Sequence, residues 1–276
     1  MLVQPYVLQE LQFAYCCRVY LRWKTHRTMS HAPLGNLNKS ILEGLAKPYD
    51  IHVLEVASNE IDLLTEVSLK PIETISGAAS KLKGQVSNWL KTQLGLTQPT
   101  NLLSHGYFAC TVGKNTSAEV EQYLNTQAEH HGYSIRAIPP VYLESYEPDE
   151  CNITPRHAKV ISRFHIVLST SGRKGIFGFE EAKRIASEWT RLQSEWRAAI
   201  LKVSFVPDHV HLALRLHPSV SPAEIAVKLM NASQDLMGRE LISAGLDRLW
   251  MQSAYIGSYG DLAGAQIRKY IENWLK

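Results

Sequence analysis

The sequence has no apolar run long enough to span a bilayer, and its start lacks the basic, apolar, small-residue order of an export signal. A soluble cytoplasmic protein is therefore the expectation, with no membrane partner. Cysteine is scarce: Cys16, Cys17, Cys110 and Cys151 show no CxxC spacing, which argues against structural zinc and reads as reduced thiols. No Walker-type glycine loop is present, so nothing points to nucleoside triphosphate chemistry. Low-complexity tracts are also missing. Charge of one sign is in short supply: 29 basic against 26 acidic side chains give +3, which permits nucleic-acid binding without demanding it. What is present is 45% hydrophobic content over 276 residues, enough to bury one large core or two modest ones.

The chain repeats itself. Val56–Val67 (VASNEIDLLTEV) parallels Phe205–Leu216 (FVPDHVHLALRL), both alternating like half-buried strands. Leu102–Gly113 parallels Leu249–Gly260, so that Gly113 falls on Gly260. Glu119–Asn125 parallels Gln266–Glu272, so that Tyr123 falls on Tyr270. The last two blocks share an offset of about 147 residues, which is domain duplication and not a solenoid array.

Each half reads as a strand, a helix, a strand pair, a second helix, a short strand and a last helix. The opening strands are expected at 15–23 and 162–170, and the first helices at 37–46 and 179–197. The second helices are expected at 74–94 and 222–244, and the last at 118–130 and 264–275. This is an α+β plan of two βαββαβ-like units, each with one extra helix. The boundaries fall at 1–137 and 156–276. Between them, 138–155 holds Pro139, Pro140, Pro148 and Pro155 and reads as a linker loop.

The strongest local signal is Pro207-Asp-His-Val-His-Leu212. On a strand, positions i and i+2 share a face, so His209 and His211 project together while Val210 turns into the core. Two neutral imidazoles on one face are half of a divalent-metal site; a merely exposed pair is the other reading. A second signal is the tyrosine on each last helix. Gln127 lies one turn beyond Tyr123, whereas Trp274 takes that place beyond Tyr270. Amphipathic packing is the plain alternative for both tyrosines.

The Pro-Asp-His-Val-His-Leu strand, the short strand ending in glycine and the Tyr-Ile-Glu-Asn helix resemble the HUH transposases with a single tyrosine. These include insertion-sequence and REP-associated tyrosine transposases. The resemblance runs over 162–273 and, more weakly, over 15–127. It implies a ferredoxin-like fold in each half and a dimer. It also implies one Mg²⁺ or Mn²⁺ held by two His and a Gln, and a tyrosine that attacks a DNA phosphate to leave a 5′-phosphotyrosine and a free 3′-OH. In such dimers the tyrosine helix of one subunit can serve the His pair of the other.

Departures from that pattern are complementary. The first half carries Glu60 and Asp62 where the His pair is expected, and the second carries Trp274 where the Gln is expected. A pseudo-dimer then assembles one complete set: His209 and His211 from the second half, Tyr123 and Gln127 from the first. Glu60, Asp62, Tyr270 and Trp274 form the degenerate counterpart. Alternatives stay open: Glu60 and Asp62 share a strand face and could bind Mg²⁺ or be salt-bridged remnants, Tyr270 could act in cis, and the chain could be a domesticated DNA-binding protein without catalysis. A phenol near pKa 10 is a poor nucleophile at neutral pH, which is why a divalent ion on the scissile phosphate matters.

The expected partner is single-stranded or hairpin DNA, with a further homodimer open. Arg22, Lys24, Arg163, Arg173, Lys174 and Lys228 are candidate phosphate contacts. Trp23, Trp189, Trp196 and Trp250 could stack on bases, although their spacing reads as core.

Overall fold

In the computed structural model the described residues are 5–26, 33–98, 101–126, 141–147, 153–156 and 158–261. The first half runs β1 (Gln12–Lys24), α1 (Lys39–Ala46), β2 (His52–Ser58), β3 (Asp62–Leu69), α2 (Ile75–Gln93), β4 (Phe108–Val112) and α3 (Ser117–Asn125). After β5 (Tyr142–Ser145) the same order returns. It comprises β6 (Lys159–Ile161), β7 (Arg163–Thr170), α4 (Phe179–Leu192), β8 (Ala198–Val206), β9 (His209–Leu216), α5 (Pro222–Leu236), α6 (Gly238–Ala244) and β10 (Trp250–Ser258). The result is a mixed α+β architecture around one ten-stranded sheet. No helix among the described residues is long and apolar enough to cross a membrane.

Helix starts follow from capping chemistry. Thr74 accepts from Gly77 N at 2.9 Å to begin α2. Ser221, followed by Pro222, accepts from Glu224 N at 3.2 Å to begin α5. At α3, Thr116 and Glu119 form a reciprocal capping box, which satisfies two donors that the first turn leaves orphaned. The buried sides of α1, α2, α4 and α5 join one core with the sheet, including Leu42, Leu82, Val86, Ile185, Trp189 and Leu229. All four tryptophans proposed as base-stacking groups are buried in that core and present no face to a nucleotide.

Two four-stranded antiparallel arrangements, β2-β3-β1-β4 and β8-β9-β7-β10, carry the repeat. They are joined by parallel pairing of β1 with β10 and of β4 with β6. The contacts between them come in matched couples at the sequence offset. Thr111 Oγ1 donates to the Tyr259 carbonyl at 2.7 Å, and Ser258 Oγ donates to the Val112 carbonyl at 2.6 Å. Ser76 N donates to Pro218 O at 2.8 Å, and Ala223 N donates to Pro71 O at 3.0 Å. A Cβ at Gly113 would collide with the carbonyl oxygen of Ser258, and one at Gly260 with that of Thr111. The two glycines that align in the sequence are thus the points where the backbones of the two halves meet.

Four sequence expectations change. The linker is not all loop: Tyr142–Ser145 pairs antiparallel with β8, its prolines flanking the strand and so leaving its ladder donors intact. The helix expected over 179–197 stops at Leu192, because Arg197 takes a left-handed φ of 55° and the side chain of Gln193 accepts from Ile200 N at 2.8 Å. The helix expected over 222–244 breaks at Met237, whose φ of −98° and ψ of 14° separate α5 from α6. The last helix of the first half is described as Ser117–Asn125. The helix expected over 264–275, with Tyr270 and Trp274, lies outside the described residues, as do Gln127 and Cys151.

Candidate active site

The hairpin β8–β9 closes tightly, with Val206 paired to His209 across Pro207 and Asp208. Val210, Leu212 and Leu214 point into the main core, which forces His209 and His211 onto the other sheet face. Both are buried, at 3% and 4% exposure, with ring centroids 4.9 Å apart. Each imidazole has a polar neighbour at Nδ1. His209 Nδ1 lies 2.6 Å from Asp208 Oδ1, and a neutral His209 donates there, leaving Nε2 with its lone pair. Arg173 lies 3.5 Å from the other Asp208 oxygen and donates to Ser169 Oγ at 3.0 Å.

His211 Nδ1 lies 3.0 Å from Nε2 of His165, which sits on the neighbouring strand β7. The two rings stack at 5.2 Å with 18° between planes. Burial pushes the His165 imidazole down to about 4, so it is neutral at pH 7 and offers an acceptor. Sequence reading singled out neither His165 nor a role for Asp208. The signal for His165 was the alternation of Arg163–Ser169, which places it on the polar face. Its proximity to His211 required knowing which strand pairs with β9.

Helix α3, from the first half, lies on this same face of the second half's strands. Val120 and Leu124 bury against Ala213 and Tyr259, with Leu201 packed alongside. Lys202 Nζ donates to Asn125 Oδ1 at 2.5 Å at the helix end. At its start, Ser117 Oγ donates to Asp261 at 2.7 Å, and Arg163 binds both Ser117 and Asp261. Tyr123 is thereby placed with its ring 5.5 Å from that of His211 and 6.1 Å from that of His165. Tyr255 of β10 approaches His165 at 6.0 Å, and burial raises its phenol above the ordinary range. A cavity of about 200 Å³ opens beside them, lined by His165, Tyr255, Tyr259, Lys114 and Cys16.

The face related to this one by the repeat is different. Its hairpin pairs Ser58 with Leu63, two residues farther round the tip than the tight β8–β9 turn. Glu60 therefore sits exposed in the turn and not on a strand face with Asp62, which corrects the sequence expectation. Asp62 opens β3 as His209 opens β9, and Arg22 Nε reaches it at 2.9 Å. The next residue on that face is Leu64, in an apolar cluster with Tyr20, Ala57 and Val112. An oxygen-ligand pair of Glu60 and Asp62 is not assembled.

The candidate phosphate contacts also divide. Arg22 is held by Asp62, Arg163 latches α3, and Arg173 stands behind His209. Lys228 pairs with Glu224 at 3.1 Å on α5, away from the His face. Lys24 and Lys174 are exposed. Among the described residues no group of three His, Cys, Asp or Glu gathers to hold a metal. Two imidazoles with fixed neighbours supply two nitrogen donors, and the third expected donor, Gln127, lies outside the described residues.

The model of the IS200-like transposases matches this sequence twice, over residues 12–127 and 159–274. The chain belongs to that family. The two matches follow one another in a single chain, so this transposase is a tandem duplication, and its family's activity is DNA transposition. No curated protein sequence matches it. Among solved structures, a Deinococcus radiodurans R1 protein assigned as a transposase shares 22% identity over 44% of this chain and 95% of its own, at a TM-score of 0.34. A bacterial light-regulated adenylyl cyclase aligns over 88% and 72% at 10% identity and a TM-score of 0.19. A chlorite dismutase from Candidatus Nitrospira defluvii aligns over 94% and 96% at 12% identity and a TM-score of 0.19. These three likenesses are too slight to bear on what this transposase does.

Proposed function

We propose that this transposase nicks and rejoins single-stranded or hairpin DNA through one composite active site, with Tyr123 as nucleophile and His209 and His211 as metal ligands. The observation that carries this reading is the 5.5 Å approach of the Tyr123 ring to His211, although the two belong to different copies of the repeat. In this reading residues 1–137 and 156–276 are two ferredoxin-like halves of a fused dimer. The first is degenerate at its own His positions and lends its tyrosine helix to the second. Fusion explains why one site suffices: the partner surface is always present, so the second set of ligands is under no chemical demand.

The imidazoles of His209 and His211, with Gln127 as the third ligand, would hold one Mg²⁺ or Mn²⁺. When bound, that ion supplies Lewis-acid withdrawal of charge from the scissile phosphate. The chain's own groups do the rest. Asp208 fixes the tautomer of His209, and His165 accepts from Nδ1 of His211, so both Nε2 atoms keep their lone pairs. Helix α3 holds the Tyr123 phenol over the imidazoles for in-line attack. The phenol oxygen bonds to phosphorus as the bond from phosphorus to the 3′ oxygen breaks. The proton lost by the phenol is balanced by one gained at the released 3′-OH. The product is a 5′-phosphotyrosine that conserves the phosphodiester energy, so rejoining requires no nucleoside triphosphate.

The test is covalent-adduct formation with a labelled hairpin oligonucleotide and Mn²⁺, read on a denaturing gel. Wild type and Tyr270→Phe are expected to form adduct, and Tyr123→Phe none. Adduct that survives in Tyr123→Phe and vanishes in Tyr270→Phe would replace the composite site by one built from Tyr270. DNA binding without adduct in wild type would leave a binding protein.

A further inference from the structure

At the far end of β9 from the His pair lies a second cleft, of about 520 Å³. It is lined by Arg156, Arg197, His217, His105, Ser76 and Tyr107, and no carboxylate is among the described residues around it. Nε2 of His217 accepts from Nη2 of Arg197 at 2.7 Å, and Nη1 of Arg197 donates to Ser219 Oγ at 2.9 Å. The guanidinium is thus oriented by neutral partners. Burial and that guanidinium together hold His217 below the ordinary imidazole range. Lys83 donates to the carbonyls of Ser104 and His105 at 2.5 and 2.9 Å, fixing the opposite wall.

The repeat supplies an internal comparison. Arg197 is the counterpart of Asp50: both have left-handed backbones, at φ 55° and 56°, and both close the same turn, with Arg197 N on Ser194 O and Asp50 N on Lys47 O, each at 3.1 Å. His217 is the counterpart of Lys70, which forms an ion pair with Asp50. One corner is therefore internally neutralised, while the other presents cations without an acid. The backbone is the same at both, so the difference lies in side-chain charge alone.

We infer that this cleft is a phosphate-binding subsite for the backbone of the bound DNA, separate from the catalytic pocket and present on only one of the two halves. Arg156 and Arg197 are its charged donors. It rests on the reading that the chain handles DNA. At about 3.3 Å per strand residue it stands roughly 25 Å from His209, so it grips the strand away from the scissile phosphate. Guanidinium groups on a polar rim, with no carboxylate competing, suit a phosphodiester oxygen pair.

The experiment uses the full chain carrying Tyr123→Phe, so that binding is read without covalent capture. Fluorescence anisotropy with a hairpin oligonucleotide bearing a single-stranded flank is followed across a salt series. Adding Arg156→Ala and Arg197→Ala together is expected to weaken binding about tenfold. It is also expected to flatten the plot of log affinity against log salt by about 0.7 for each phosphate contact removed. Lys70→Ala, at the neutralised corner, is expected to change neither. In the background that retains Tyr123, the double arginine variant keeps its adduct rate at saturating DNA. An unchanged slope in the double variant, or an equal loss in Lys70→Ala, overturns the subsite and leaves the nicking site standing. Failure of the parent to bind any oligonucleotide overturns both.

Discussion

Two neighbours decide what the imidazole pair can do. An imidazole offers a lone pair at one nitrogen only when the other holds its proton, and the partner at that other nitrogen selects the tautomer. Asp208 Oδ1 does this for His209 at 2.6 Å. His165 is set to do it for His211 at 3.0 Å, and its depressed basicity keeps it a neutral acceptor where an imidazolium would repel a cation. Removing either acceptor leaves both ligands in place but frees their tautomers. Asp208→Ala and His165→Ala are each expected to weaken Mn²⁺ binding by roughly ten- to a hundredfold, the range for orienting partners of metal-bound His. Titration calorimetry on the full chain reads this directly. Affinity equal to wild type in both variants would mean that the tautomers are set by something else.

The elements bring these residues together through pairing and packing that differ in how visible they are in a sequence. Strand β9 was legible because alternation alone puts His209 and His211 on one face. The ends of α2 were legible because Thr74 caps one end, and the repeat was legible because Gly113 and Gly260 are both required where carbonyls approach. The position of Glu60 was not, because a hairpin tip two residues longer leaves the strand pattern unchanged while moving the residue off the sheet. Nor was the partnership of β7 with β9, on which His165 depends, since strand order is fixed by the whole sheet. The seat of α3 lies between these cases: its apolar positions were readable, but its target, Ala213 and Tyr259, comes from the other half. That target gives α3 a separable role. Leu124→Ala removes a fully buried side chain from this small contact, a change worth about 2–5 kcal/mol in well-packed sites. The loss is local to α3, because the His pair belongs to a different element. Adduct yield is therefore expected to fall at least tenfold while Mn²⁺ affinity stays within twofold of wild type. A parallel loss of both would show that α3 supports the whole sheet and not Tyr123 alone.

At the scale of the molecule the question is how many reactions one chain can perform. A continuous sheet through parallel β1–β10 and β4–β6 joins the halves, and matched hydrogen bonds at Thr111 and Ser258 lock them. Such a frame treats both halves alike, so any asymmetry must come from side chains. On one face stand His209, His211 and His165; on the related face stand the Arg22–Asp62 and Arg18–Glu66 pairs and the apolar cluster around Leu64. The second face has no imidazole to offer and its carboxylates already neutralise arginines, so it does not provide a second reaction centre. Under saturating hairpin DNA and Mn²⁺, intact-mass measurement is then expected to show the chain with one oligonucleotide attached and no species with two. A doubly modified chain would require the Tyr270 helix to work against the Arg–Asp face, which contradicts a single composite site. Cutting both ends of a DNA segment would in turn require two chains or two successive turnovers, so strand-transfer rate should rise more steeply than the first power of protein concentration if two chains act together.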